Sequence, residues 1–102
     1  MKERMSTDSV EKKLSALTDE IGELQREMAA LDEQYRFVAD NAEEARVRAL
    51  VSETALADHE YADAQKSLAA VVKDREARVK RLEKLESKLD ALLDKLTPGE
   101  SP

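Results

Sequence analysis

Apolar or small residues recur along the first half of this chain at alternating spacings of four and three. They are Val10, Leu14, Leu17, Ile21, Leu24, Met28, Leu31, Tyr35, Val38, Ala42, Ala45 and Ala49. At about 3.6 residues per turn, that spacing holds them all on one narrow stripe of an α-helix. A stripe sustained over more than five heptads marks a coiled coil and leaves little room for any other fold. Gly22 beside the stripe costs about 1 kcal/mol against alanine, too little to break so long a helix.

A second stripe runs through Ala57, Tyr61, Ala64, Leu68, Val71, Leu82, Leu85, Leu89, Leu92 and Leu96. Arg75 and Arg78 fill its two intervening positions, where Val72 and Val79, each one residue away, can rotate inward instead. The two stripes are out of phase. Continuing the first predicts Ser52 and Leu56, whereas the second starts at Ala57. A chain reversal explains the break, and the segment between supplies its chemistry. Ser52 and Thr54 are good N-caps, and Asp58 and Glu60 follow where a helix dipole favours acids. Asn41 with Glu44 offers a rival start signal, but the first stripe passes through it without a phase change.

The expected fold is therefore all-α: a long antiparallel two-helix coiled-coil hairpin. It has a helix over about 8–51, a turn near 52–54 and a helix over about 55–97. In such a hairpin the residue numbers within one core layer add to a constant. Val38 with Leu68, Ala42 with Ala64, Ala49 with Ala57, Leu24 with Leu82 and Leu17 with Leu89 all give 106. The capping signal at Asp8 and Glu11 meets the breaker Thr97-Pro98-Gly99 at the same value. Residues 1–7 and 98–102 are expected to be a disordered leader and tail. Flanking charges agree in sign with this register: Arg46 near Asp58, Arg48 near Glu60, Glu27 near Arg81 and Glu20 near Lys88. Lys13 near Lys95 is the one repulsive pair.

Composition narrows the function. With 102 residues, one Phe, two Tyr and no Trp, the chain can fill a seam but not a thick globular core. It has no cysteine, and His59 is the only histidine, so thiolate zinc sites and multi-histidine metal sites are excluded. No cofactor or metal is expected. A net charge of −6 repels phosphates and argues against direct nucleic-acid binding. No apolar run reaches the length of a membrane span and no signal peptide is apparent, so a cytoplasmic location is expected. There is no glycine-rich phosphate loop, no G-x-S-x-G and no H-E-x-x-H. A two-helix coil has no pocket in which to tune a carboxylate pair, so no catalytic residue is expected.

Two apolar groups exceed the needs of one seam. Around the turn, Leu50, Val51 and Leu56 lie among Glu53, Asp58 and Glu60. They form either a plug closing the hairpin end or a partner-binding tip. On the second helix, Val72, Val79 and Leu93 recur on one flank. They either widen the seam or associate with a second copy, and a dimer is the expected state of so small a core. His59, among Asp58, Glu60 and Asp63, reads as a surface histidine, with a weak metal or pH-sensitive contact as the alternative. Tyr61, opposite Ala45, is expected to pack.

The run Lys73-Asp74-Arg75-Glu76-Ala77-Arg78-Val79-Lys80-Arg81-Leu82-Glu83-Lys84-Leu85-Glu86 resembles the descending helix of the DksA coiled coil. Glu60-Tyr61-Ala62-Asp63-Ala64 is similar to the post-tip helix of the Gre factors. The likeness covers about 30 residues and lacks the DksA zinc-finger cysteines, the DksA tip motif and the Gre β-domain. It implies a bacterial regulator inserting an acidic tip, with Asp58 near its end, into the RNA polymerase secondary channel. The length and mid-chain turn resemble the secreted WXG-type hairpins, although Ser52-Glu53-Thr54 stands where their Trp-x-Gly turn would be. The 46–61 stretch also resembles small actinobacterial coiled-coil proteins, which implies no particular activity. The broadest expectation is a non-enzymatic interaction, scaffold or regulatory protein with an unidentified protein partner.

Overall fold

A computed structural model describes residues 7–96. The described residues form two helices, α1 (Thr7–Ser52) and α2 (Ala55–Leu96), joined through Glu53 and Thr54 into an all-α helical hairpin. The expected bounds hold to within one residue at each helix end. The expected tail lies outside the described residues, as does the leader except for Thr7, where α1 already begins. Asp8 consequently falls in the first turn of α1, not ahead of it, and there its carboxylate faces the positive end of the helix dipole. Helix α1 runs unbroken through Asp40 and Asn41, so the rival turn is not used.

The reversal is built from three local interactions. The Glu53 amide donates to the carbonyl of Ala49 at 3.2 Å, which carries the helical bonding of α1 into the turn. Glu53 then adopts φ 53°, the left-handed conformation that ends many helices and turns the chain away. Thr54 caps α2: its Oγ1 accepts from the Ala57 amide at 3.1 Å, and its carbonyl accepts from the Asp58 amide at 3.1 Å. Of the two expected caps, Thr54 acts as one, whereas Ser52 is the last residue of α1.

The hairpin divides into two compact units. The first comprises Met1–Arg26 with Val79–Pro102, and the second comprises Glu27–Arg78. In the first unit the buried residues are Val10, Leu24 and Leu85, with Leu85 the most enclosed at 1% exposure. Leu17 and Ala16 share a groove with Ala91 and Leu92. In the second unit Leu31, Val38 and Val71 form one cluster with Leu68 against it. Ala42, Ala45 and Ala64 form another, covered by Tyr61 and Leu68. Val38 and Leu68 thus meet in one cluster and Ala42 and Ala64 in the other, and Tyr61 packs against the small residues of the second. The alanines are small, and Tyr61 packs against them to cover the space they leave.

The expected charge pairs need correction. Glu27 bonds Arg78 at 3.0 Å instead of Arg81. Arg81 instead bonds Glu20, which was expected to pair with Lys88. Arg46 turns back along its own helix to Glu43 at 2.6 Å and does not cross to Asp58. An ion pair not anticipated joins Arg75 to Asp32 at 2.6 Å. Arginine side chains span more than one helical turn, so a seam register alone does not name their partners. The two arginines at seam positions swing outward to carboxylates of α1, which spares the seam a buried unpaired charge.

A candidate interaction surface at the turn

The turn is a short link between two rigid helix ends, and it leaves its apolar residues outside. Leu50 is 64% exposed, Val51 78% and Leu56 67%. They do not plug the end of the hairpin; Ala57, Ala45 and Ala64 fill the adjoining core. The periodicity explains this. Ala49 and Ala57 hold the seam positions flanking the turn, so Leu50, Val51 and Leu56 are rotated off it by about 100° per residue. Glu53, Asp58 and Glu60 are exposed in the same segment. All six candidate tip residues are thus exposed on a few turns of chain around the reversal.

Between Asp40 and Asp63 the chain carries seven carboxylates (Asp40, Glu43, Glu44, Glu53, Asp58, Glu60, Asp63) against Arg46 and Arg48, a net −5 within a chain of net −6. Arg46 is occupied by Glu43, whose carboxylate lies below its ordinary pKa because the guanidinium bonds to it and attracts it. Arg48 and Glu60 line one groove with Asn41 and Asp63, which places them on the same side of the seam as expected.

His59 is exposed and its Nε2 lies 3.3 Å from Asp63 Oδ2, one turn along α2. Among the described residues no group of three or more His, Cys, Asp or Glu side chains is placed to hold a metal ion. The Tyr61 hydroxyl accepts from Gln65 Nε2 at 2.9 Å, a bond along its own helix.

The candidate flank on α2 does not behave as one surface. Val79 is half-buried and takes up the seam role, while Val72 and Leu93 stay exposed. Val72 lines a shallow groove with Leu68 and Ala69. Two exposed apolar residues escaped the sequence reading, Phe37 at 77% and Val47. The signal for them was present: Phe37, Asp40, Glu44, Val47 and Val51 repeat a heptad spacing on a face of α1 away from the seam. Of the eight large apolar side chains exposed among the described residues, seven lie in the unit Glu27–Arg78, and Leu93 is the other.

No helix among the described residues is long and apolar enough to cross a membrane. No protein-family model, curated protein or solved structure matches this chain.

Proposed function

We propose that the chain is a non-enzymatic interaction module, and that the residues around the turn carry recognition of a protein partner. One observation supports this most: Leu50, Val51 and Leu56 remain in water where a simple turn would bury them or use polar residues. Exposed leucines and valines cost solubility unless something covers them. Their setting among Glu53, Asp58 and Glu60 suits an apolar contact ringed by charge, in which the rim sets orientation and association rate. The partner surface would then be a cleft with an apolar floor and a basic rim. Scaffold, adaptor and regulatory roles all fit such a module.

The test is the combined variant Leu56→Ser, Asp58→Asn and Glu60→Gln, compared with the wild type in native-cell co-purification. These side chains are exposed, so helicity should stay at the wild-type level while capture of the partner falls. Undiminished capture by a fully helical variant would reduce the segment to a turn. Recovery of RNA polymerase subunits would point to a secondary-channel regulator, the reading that the acidic tip favours. Recovery of secretion ATPase components would point to a secreted hairpin.

A further inference from the structure

The outer face of α1 in the second unit carries a second heptad-spaced stripe. Its residues are Glu33, Phe37, Asp40, Glu44, Val47 and Val51, all of them exposed. At about 100° per residue this stripe lies roughly 150° round the helix from the seam at Leu31, Val38, Ala42 and Ala45. Helix α1 is therefore two-faced here. One face packs on α2, and the other presents two valines and the chain's only phenylalanine to water.

The charges on the stripe say what could cover it. Glu33, Asp40 and Glu44 are interleaved with the apolar residues, and among the described residues no ion pair uses them. Of the nearby arginines, Arg46 is directed to Glu43 and Arg48 into the groove beside Glu60 and Asp63, while Arg36 flanks the stripe between Glu33 and Asp40, one cation against the three acids. A second copy set antiparallel with Phe37 on Val47 would oppose Asp40 to Glu44, and one set parallel in register would oppose each acid to itself, a poor match in either direction. An anionic lipid surface would be repelled by the same acids.

We infer that this face docks an amphipathic α-helix of a partner protein, with apolar residues at heptad spacing and lysine or arginine flanking them. The partner helix would lie along α1 as a third strand of the coil. Phe37, Val47 and Val51 would insert between its apolar residues, and Glu33, Asp40 and Glu44 would pair with its cations. The inference rests on reading the chain as an interaction module, but not on the turn itself making the contact.

The probe is a synthetic 21-residue helix with leucine at the heptad core positions and lysine beside them; a twin has glutamate in place of lysine. Binding to the full chain is measured by titration calorimetry at low and high salt. The lysine peptide should bind, more weakly as salt rises, and the glutamate twin should not. Phe37→Ser with Val47→Ser should weaken binding by roughly tenfold or more, as loss of two buried apolar anchors does. Asp40→Asn with Glu44→Gln should weaken it and flatten the salt dependence. Circular dichroism should show unchanged helicity for both variants. The turn variant Leu56→Ser, Asp58→Asn, Glu60→Gln should bind the lysine peptide as wild type does, which separates this face from the turn. Equal binding by wild type and both face variants would overturn the inference, whatever becomes of the turn. So would equal binding of the two peptides. Sedimentation showing a wild-type dimer that Phe37→Ser with Val47→Ser converts to monomer would also overturn it, assigning the face to self-association.

Discussion

The Oγ1 of Thr54 accepts a hydrogen bond from the backbone N–H of Ala57 at 3.1 Å, and this one bond sets where α2 begins. Without it, an orphan amide at the N-terminus of α2 would have only solvent to bond. Thr54→Ala should destabilise the hairpin by about 1 kcal/mol, whereas Thr54→Ser or Thr54→Asp should be close to neutral. Urea denaturation at fixed protein concentration measures this. An alanine variant as stable as wild type would mean that the cap contributes nothing.

Glu53 sits at φ 53°, where a side chain crowds its own backbone. Left-handed geometry costs a non-glycine residue about 1–2 kcal/mol, partly offset by the extra freedom glycine would have in the unfolded chain. Glu53→Gly should thus be neutral to stabilising by up to about 1 kcal/mol, and Glu53→Val clearly destabilising. The reverse order of midpoints would show that the turn has a different backbone in solution.

Leu85 and Leu82 lie one turn apart on α2, yet Leu85 is the more deeply buried and Leu82 only half so. Leu85→Ala should cost about 3 kcal/mol, and Leu82→Ala roughly half of that. Equal losses would mean that the helix is rotated about its axis relative to this structure.

Glu43 and Arg46 form an exposed pair one turn apart, with bonds of 3.1 and 2.6 Å. The bond to Arg46 and its positive charge hold the Glu43 carboxyl below its ordinary value of 4.5. A carboxyl with a lowered folded-state pKa stabilises above its unfolded pKa, and that contribution is lost as pH falls through the folded value. The window therefore lies on the acid side of pH 4.5. An NMR titration should give Glu43 a midpoint below 4.5, and Arg46→Gln should raise it. A Glu43 midpoint unmoved by Arg46→Gln would mean that the pair does not persist in solution.

The fold was legible in the sequence because every signal that sets it is local. A four–three spacing requires only that residues within a turn or two share a face, and water penalises any other arrangement of Leu24, Leu31, Val38 and Leu85. The phase break between Ala49 and Ala57, with Thr54 poised to cap, placed the reversal within a residue. What needed the tertiary structure was everything decided by the distance between helices. Which carboxylate Arg75, Arg78 and Arg81 reach depends on the lateral position of α1, and exposed pairs are worth so little that no pattern need record them. Val79 turns inward and Val72 stays out because a helix can rotate by a few tens of degrees without breaking its period. Leu50, Val51 and Leu56 could have closed the turn or been left in water. Their position one or two residues off the seam at Ala49 and Ala57 allowed either, and the structure leaves them outside, with the small residues Ala45, Ala57 and Ala64 buried instead. Phe37 shows the same limit: it stands one residue off the seam at Val38, and its 77% exposure emerges only from the packed structure.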